Sequence, residues 1–484
     1  MINRFFPACA WAWPSAGLDQ LVCAAISPDK SIALTSAQYW LCHNDIDRVA
    51  FREHRLLAAV SARLGSALAR QAAYPRLIGL QRQLWTRSRM AMAEAAPILK
   101  VMHEHRIRVM LLKGGARIAA RPTDQQSRVS HDLDILVEAS HFRKALDVLF
   151  DAGWVPASGE SSLSIKSRAD SIRSMNFFHQ RFGDIDLHQW AYGRSSPITK
   201  ANVALWDEST LGDFFGSPVY VPSATDRLAL AIHHSALDAH THSDWLVDCA
   251  QLVTDTTVDW IRLLELLRQL RAIVAAQIVF SYLSVRIGLA VPTDFLRKLM
   301  VDSSTGWLQR IGDLLQAKPR ANWSLVSRIA RGIVKQSRLL GERSEVVQPM
   351  VNRGAVSRLP KIKQLSLSTS FVLHQWATKD SGTWHFQIDL AVNLPAKARR
   401  MEFELNTDTQ HLLRLRARSL WRRSGFALIR FFGEVNHEGA ETNLRIEARP
   451  GRALRGGESQ AELERYAPIA FSVLPSTHLF SVKS

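Results

Sequence analysis

The chain has 484 residues, of which 47% are hydrophobic and 22% are charged. Because a single hydrophobic core stops growing near about 250–300 residues, this length predicts two or three cores. The composition excludes collagen-like, coiled-coil and wholly disordered proteins. The 61 Lys and Arg residues outnumber the 44 Asp and Glu residues, and the net charge of +17 favours partners such as phosphates, nucleotides, nucleic acid or an anionic membrane face.

The cysteines and the hydropathy of the chain indicate its compartment. The four cysteines are Cys9, Cys23, Cys42 and Cys249. They show neither CxxC spacing nor the density of a disulfide scaffold, which argues against zinc and structural disulfides. The best candidate for a spanning helix, residues 273–289, is short and contains Gln277 and Arg286, and residues 1–14 lack a clear signal-peptide cleavage site. We therefore predict a soluble, cytoplasmic protein with no membrane span.

The N-terminal part, residues 1–105, has the periodicity of helices. Between Ala33 and His105, apolar residues recur three and four positions apart, with basic residues on the other faces. The clearest stripe contains Leu56, Leu57, Val60, Leu64 and Leu68. A helical N-terminal region is therefore predicted.

Residues 106–222 have the pattern of an α/β core. A strand is predicted over Ile107–Leu112, a turn at Lys113-Gly114-Gly115 and a helix over Ala116–Ala120. A second strand is predicted over Asp132–Val137, followed by Ser140 as the N-cap of a helix over Phe142–Ala152. Further strands are predicted at Met175–His179 and Asp184–Trp190.

The rest of the chain divides into a helical part and a β-rich part. Ser223 and Asp226 form a capping-box pattern, after which helical periodicity runs to residue 341, within a predicted domain of residues 223–350. A β-rich domain of sandwich or barrel type is predicted for residues 360–484, with strands at Phe371–Trp376, Trp384–Val392, Met401–Asn406, Phe426–Val435 and Thr442–Ala448 and a turn at residues 437–439. The predicted fold class is α+β: a mixed sheet flanked by helices, a helical bundle and a separate β-rich C-terminal domain.

A pair of carboxylates is the strongest chemical signal in the sequence. A strand places residues i and i+2 on one face, so Asp132 and Asp134 are expected to point together. Two adjacent carboxylates either raise one pKa or hold a hard cation, and Mg²⁺ binds through one or two carboxylates together with substrate phosphates. Gly114 and Gly115 before a helix would let backbone N–H groups approach a triphosphate.

A third carboxylate would complete a two-metal clamp and accept the proton of an attacking hydroxyl. Asp186 is the first choice, and Asp184, which shares its strand face, is the competing choice. His188 is on the same face, where a hydrogen-bonded structural role is at least as favoured as a catalytic one. Phosphoryl-group chemistry asks mainly for positioning and charge neutralisation, which three carboxylates, two cations and some basic residues can supply.

The glycine turn, the Asp-x-Asp strand and the lone Asp on a later strand resemble the DNA polymerase β-type nucleotidyltransferase superfamily. Within it, the Leu-Lys-Gly turn, an Arg shortly before Asp-Leu-Asp-Ile-Leu-Val and the later Ile-Asp-Leu-His are similar to the uncharacterised bacterial nucleotidyltransferase family called NTP_transf_5. The resemblance covers roughly residues 45–290. It implies an enzyme that moves a nucleoside monophosphate from an NTP to an acceptor hydroxyl and releases pyrophosphate.

The resemblance also implies roles for individual residues. The implied metal ligands and catalytic residues are Asp132, Asp134 and Asp186, with two Mg²⁺ ions, or Mn²⁺ as the alternative, as cofactors. The residues implied to bind the nucleotide are Lys113, Gly114, Gly115 and Arg128. The helical segment with His233, Trp245 and Asp248 looks like the helical half of the family, which packs against the catalytic sheet.

Three departures from the family pattern stand out. Gly115 lies where Ser is usual in the superfamily, so one hydroxyl contact to phosphate is missing. The loop from Arg121 to Ser130 makes the spacing to Asp132 longer than in most branches, and His131 stands where small residues are common. None of these departures removes a carboxylate, so an active site remains the prediction.

Other hypotheses stay open at this point. One is a catalytically silent binding protein whose β-rich domain recognises a glycan, lipid or protein. Another is a nucleotidyltransferase that acts on tRNA or another RNA, which the charge allows but does not favour, because the Arg-rich stretch of residues 414–423 is typical of a solvated face. The histidines His233, His234, His240 and His242 do not form HExxH, so we predict helix-capping or surface roles for them.

Overall fold

The computed structural model describes residues 9–319, with gaps at 131, 158–164, 167–168, 193–195, 238–239, 241–242 and 256, together with residue 329 and the strands after residue 370. For residue 171, residues 196–199 and those late strands, it describes the backbone alone. His131, His242, residues 330–360 and the turn predicted at 437–439 lie outside the described residues. The chain divides into two units, one of Met1–Val148 with His179–Ser344 and the other of Leu149–Phe178 with Glu345–Ser484.

Helices form the N-terminal part of the first unit, as predicted. They are α1 (Gly17–Ile26), α2 (Lys30–His43), α3 (Phe51–Leu64) and α4 (Tyr74–Glu104). Leu56 and Leu57 on α3 are fully buried, which confirms the predicted apolar stripe. The first α-helix begins at Gly17, earlier than the periodicity that starts at Ala33, because Leu21 and its neighbours on α1 pack into the same core.

A mixed sheet follows. Its strands in this unit are β1 (Val109–Leu111), β2 (Leu133–Val137), β5 (Gly183–His188), β6 (Thr210–Phe214) and β7 (Ser217–Val221). They are adjacent in the order β5-β2-β1-β7-β6. β2 pairs antiparallel with β1 and parallel with β5, whereas β1 pairs parallel with β7. The hairpin of β6 and β7 was not among the predicted elements.

The helices that accompany the sheet differ in part from the prediction. Helix α5 (Lys113–Ala120) begins at Lys113, so the two glycines lie in its first turn and not in a turn before it. Helix α6 (Phe142–Asp151) follows a 3-10 turn at Ala139–His141 whose N-cap is Glu138, so Ser140 lies inside that turn and is not the cap. Helix α7 (Ser196–Asp207) was not predicted.

The later part of the first unit is helical, as predicted. It contains α8 (Ala224–Ser235), α9 (Trp245–Val253), α10 (Trp260–Gln269), α11 (Ile273–Ser281), α12 (Thr293–Val301) and α13 (Trp307–Ala317). The capping pattern at its start is confirmed, because Ser223 Oγ accepts a hydrogen bond from the Asp226 backbone N–H at 3.2 Å. No helix among the described residues is long and apolar enough to cross a membrane.

One hydrophobic core ties these helices to the sheet. It contains residues of α1 to α3 and of α8 to α12, such as Leu57 and Leu267, together with Met110 of β1 and Leu136 of β2. The N-terminal helices and the later helices are therefore packed into one body with the strands that carry the predicted site.

The second unit contributes strands. β3 (Val155–Pro156) pairs antiparallel with β4 (Ser174–His179). The strands after residue 370 are β8 (Phe371–Asp380), β9 (Thr383–Asn393), β10 (Met401–Thr407), β11 (Leu412–Arg423), β12 (Phe426–Asn436), β13 (Leu444–Ala453) and β14 (Ile469–Val473). They pair antiparallel in the orders β11-β12-β9-β8 and β10-β13-β14. β11 covers the Arg-rich stretch of residues 414–423.

Candidate active site

Strands β2 and β5 place two carboxylates side by side. In their parallel register Asp134 lies opposite Asp186, and Ile135 lies opposite Leu187. Because side chains alternate along a strand, the two acids point to one face of the sheet and the two apolar residues to the other. Ile135 and Leu187 are completely buried, so the hydrophobic pattern fixes the register and thereby the pairing of the acids.

His188 lies against both carboxylates. Its Nε2 is 3.1 Å from Asp134 Oδ1 and 2.9 Å from Asp186 Oδ2. Donor atoms of these three residues all lie within 4.8 Å of one another, close enough to share a metal ion. Asp184, the competing choice for the third carboxylate, is not a member of this group.

The donor set fits a divalent cation. Asp186 Oδ1 is buried and has no hydrogen-bond partner among the described residues. An unsatisfied buried acceptor of this kind costs about 1–3 kcal/mol, more when it is charged, and a bound cation would remove that cost. Carboxylate oxygens suit Mg²⁺ and Mn²⁺, whereas an imidazole nitrogen is preferred by later transition metals. Asp134 and Asp186 are therefore the residues suited to hold Mg²⁺.

Lys113 brings a positive charge to the carboxylates. It is the first residue of α5, and its backbone has a φ of 46°, a conformation that residues with a side chain rarely adopt. Its Nζ lies 2.6 Å from Asp134 Oδ1. The Lys113 side chain is 29% exposed and that of Asp134 is 4% exposed, so the ammonium group lies between the buried acid and solvent.

The charges in this group shift the pKa values in opposite directions. Burial acts to raise the pKa of Asp134, but the Lys113 ammonium and the His188 imidazole outweigh it and hold this pKa well below its usual range. Burial also disfavours a charge on His188, yet Asp186 and Asp134 raise the pKa of the imidazole above its ordinary value. At neutral pH Asp134 is therefore ionised, as a metal ligand must be.

Asp132 stands at the edge of this group. It lies immediately before β2, is half-buried, and does not belong to the set of donors within 4.8 Å. Burial and the charge of Asp134 raise the pKa of Asp132, while Lys113 acts in the opposite direction. The structure thus brings Asp134 and Asp186 together and leaves Asp132 within electrostatic reach of Asp134.

The two glycines are packed against the segment that leads into β2. A Cβ atom at Gly115 would lie 2.9 Å from Leu133 Cδ1, and one at Gly114 would lie 2.9 Å from Ser130 Oγ. Both glycines are buried. Their missing side chains therefore let the first turn of α5 lie directly against Ser130 and Leu133, and their contact with a triphosphate stays a prediction.

Arg128, expected at the phosphates, lies in a buried group of ion pairs. Its Nε donates to Asp248 Oδ2 at 3.0 Å, and its Nη1 donates to Asp244. Arg128 is only 6% exposed. Sequence reasoning assigned no role to Asp244 and placed Asp248 only in the helical half. The spacing of Asp244 and Asp248 could have indicated that they act together, because residues four apart share one face of a helix.

His240 differs from the prediction of a capping or surface role. It is 3% exposed, and its Nε2 lies 2.8 Å from the Ala12 carbonyl oxygen, to which it donates. Burial lowers the pKa of His240 to about 4. The imidazole is therefore a neutral, structural donor that ties the loop before α9 to the N-terminal segment.

Residues 45–287, just over half of the chain, match the family described as uncharacterised nucleotidyltransferase. The chain belongs to this family. It is therefore an enzyme of the nucleotidyltransferase class, and the matched range contains every residue of the site described above. No curated protein and no solved structure matches this nucleotidyltransferase.

Proposed function

We propose that this nucleotidyltransferase moves a nucleoside monophosphate from a Mg²⁺-bound NTP to an acceptor hydroxyl and releases pyrophosphate. The observation that carries the proposal is the placement of Asp134 opposite Asp186 on adjacent parallel strands, with the Lys113 ammonium beside Asp134. Membership of the family supports the class of reaction. The buried, unpartnered Asp186 oxygen supports a cation at this point.

The groups that would hold the metal are Asp134 and Asp186, with Asp132 at the edge of the site. The metal would be two Mg²⁺ ions, with Mn²⁺ as the alternative. When bound, divalent cations neutralise charge on the phosphates and make an acceptor hydroxyl a better nucleophile. His188 keeps the Asp134 and Asp186 carboxylates together through its Nε2. The pairing of two acids on neighbouring strands would otherwise be opposed by their mutual repulsion.

The chain's own groups supply positioning and charge. The acceptor oxygen forms a bond to the α-phosphorus, the bond to the bridging oxygen breaks, and pyrophosphate leaves. Asp186 accepts the proton of the acceptor hydroxyl. The Lys113 ammonium stabilises negative charge on the leaving phosphates, and the first backbone N–H groups of α5, at Gly114 and Gly115, face them without intrahelical partners.

The compartment and the nucleotide belong to the same proposal. Cys23 and Cys249 are buried free thiols, as expected where thiols stay reduced, so we place the reaction in the cytoplasm. ATP is the NTP that we propose to test first. The acceptor is defined only by its chemistry, a hydroxyl that can reach the α-phosphorus.

The test is incubation of the protein with each α-labelled NTP, Mg²⁺ and a fractionated lysate. The wild-type chain is expected to label an acceptor and release pyrophosphate. Asp134→Asn and Asp186→Asn are each expected to lower the rate more than about 100-fold, because changes to the partners of metal ligands alone cost about 10–100-fold. Asp302→Asn, which removes an acid paired with Arg268 outside the site, is the control and should keep the wild-type rate. Equal turnover by the Asp134 variant and the control would contradict the proposal.

A further inference from the structure

Arg128 is held by the helical half of the enzyme. Its Nε lies 3.1 Å from Asp248 Oδ1 and 3.0 Å from Asp248 Oδ2, and its Nη1 contacts Asp244 and donates to the Val129 carbonyl oxygen at 3.0 Å. Asp244 and Asp248 lie at the start of α9 and within it. The donors on Nε and Nη1 are therefore engaged by protein acceptors in the described part of the chain.

These contacts belong to a longer series of alternating charges. Its members, in order of contact, are Arg55, Asp244, Arg128, Asp248, Arg117 and Asp124. They come from α3, from α9, from the loop before β2 and from α5 with the turn that follows it. The three arginines balance the charge of the three aspartates, and every side chain in the series is at most 17% exposed. Charged side chains are buried to this extent only when they are paired.

The same guanidinium group packs against the segment that leads to the carboxylates. A Cβ at Gly114 would lie 3.6 Å from Arg128 Cζ and 2.9 Å from Ser130 Oγ. Ser130 Oγ in turn donates to the Asp132 carbonyl oxygen at 2.9 Å, and the Ser130 N–H donates to Ser88 Oγ of α4 at 3.2 Å. Arg128 thus lies between Asp244 and Asp248 on one side and the first turn of α5 with Ser130 on the other.

Loss of the Arg128 charge would affect this arrangement directly. Asp244 would keep only Arg55, and Asp248 only Arg117, as partners in the series. A buried carboxylate that loses a partner either takes up a proton or draws in water, and both change the local packing. Ser130 and, through its hydrogen bond, Asp132 are the parts of the site that would move.

We propose that Arg128 is a positioning residue, which fastens the segment bearing Asp132 and the first turn of α5 to helix α9 and thereby sets the cation site without touching the nucleotide. This inference rests on the proposed function, because it concerns the same carboxylates. It differs from a phosphate-binding role for Arg128 in one measurable respect. A residue that binds phosphate affects nucleotide binding, whereas a residue that positions carboxylates affects metal binding when no nucleotide is present.

The experiment is a titration of the full-length protein with Mn²⁺ in the absence of nucleotide. The electron paramagnetic resonance signal of free Mn²⁺ measures how much of the ion is bound at each step. Arg128→Met is expected to weaken Mn²⁺ binding by about tenfold or more, in the range typical for residues that orient metal ligands. Arg128→Lys keeps the charge but cannot bridge two carboxylates in the same way, so it should restore binding only in part. Asp248→Asn is the second variant, for use if the Met variant does not fold, and should weaken binding in the same direction.

The matched control is Arg262→Met. Arg262 pairs with the fully buried Asp226 at 2.9 Å and joins α10 to α8, and neither residue belongs to the series of alternating charges or to the donor group. This control should lower the melting temperature as the Arg128 variant does, yet bind Mn²⁺ as the wild type does. Wild-type Mn²⁺ affinity in both Arg128→Met and Asp248→Asn would overturn the positioning role alone. Absence of Mn²⁺ binding by the wild-type protein would overturn the proposed function and this inference with it.

Discussion

The register of β2 against β5 brings Asp134 and Asp186 together. The alternation of side chains along β5 places His188 on the same face as Asp186. The sequence allowed this arrangement to be predicted in outline, because Asp186 and His188 are two positions apart on a strand with buried neighbours. It made Asp186 the first choice for the third carboxylate and Asp184, on the same strand face, the competing choice. The alignment of β5 with β2, in which Asp134 lies opposite Asp186, is what separates the two in the structure. Such an alignment depends on contacts between distant parts of the chain, which periodicity does not encode.

That distinction leads to a prediction at the residue scale. Asp186→Asn should lower turnover more than about 100-fold, while Asp184→Asn should change it less than about threefold, since Asp184 is outside the donor group. Both substitutions remove one carboxylate from the same strand, so each serves as the control for the other. Pyrophosphate release under saturating Mg²⁺ and NTP is the measurement. A larger loss in the Asp184 variant would reverse the assignment.

A second prediction at this scale concerns pH and His240. Its pKa is about 4 in the folded protein and about 6.5 in the unfolded chain, so the unfolded state binds the extra proton between these values. The contribution of His240 to stability is therefore complete above about pH 6.5, is lost as the pH falls towards 4, and amounts to about 3 kcal/mol. Urea unfolding of the wild type and of His240→Gln between pH 7.5 and 4 measures it. The difference in unfolding free energy between the two proteins should shrink as the pH falls, and a constant difference would contradict the assignment.

At the scale of elements, the first turn of α5 packs tightly against β2. The sequence predicted a strand, two glycines and a helix in the correct order. It placed the glycines in a turn because glycine commonly interrupts periodic segments. In the structure they lie in the first helical turn, where Leu133 and Ser130 leave no room for a Cβ. A packing requirement imposed by a strand about twenty positions away has no local signature, so the helix start could not be predicted from the glycines themselves.

Gly115→Ala tests this contact. The added methyl group meets Leu133 Cδ1 at 2.9 Å in a site where Leu133 is 1% exposed, so we expect a loss of about 1–3 kcal/mol of unfolding free energy. This loss is offset in part by the better helix propensity of alanine. Leu133→Val removes the clashing atom, so the double variant should be more stable than the sum of the two single changes predicts. Denaturant unfolding measures all three variants, and strict additivity would show that Gly115 is not needed for packing.

At the scale of the whole molecule, the first unit is held by a shared core and by the alternating charges around Arg128. The sequence predicted the α+β class and the helical segments that precede and follow the strands of the sheet along the chain. These helical segments could be predicted because their apolar periodicity is long and regular. It did not reveal the pairing of Arg55 with Asp244 across 189 positions, since partners of buried charges come from anywhere in the chain. The domain boundaries at residues 105, 222 and 350 stay predictions.

Asp244→Asn is the test at this scale. It leaves Arg55 and Arg128 short of one negative charge in a buried setting, and breaking a pair of this kind typically costs about 3–5 kcal/mol. Because residues of α1 to α3 and of α8 to α12 belong to one core, both groups of helices should lose protection from hydrogen exchange together. Hydrogen exchange read by mass spectrometry measures this. Loss of protection confined to α9 would show that the N-terminal helices are stabilised independently.

The alignment of β2 with β5 also decides where the enzyme tolerates changes in length. The acids meet because residue 134 faces residue 186, and this register does not depend on the length of the loops between the two strands. An epitope or a reporter peptide inserted in such a loop, outside α6 and β4, would leave the two acids paired. Deletion of one residue inside β5 would turn Asp186 to the opposite face of the sheet and bring an apolar side chain towards Asp134.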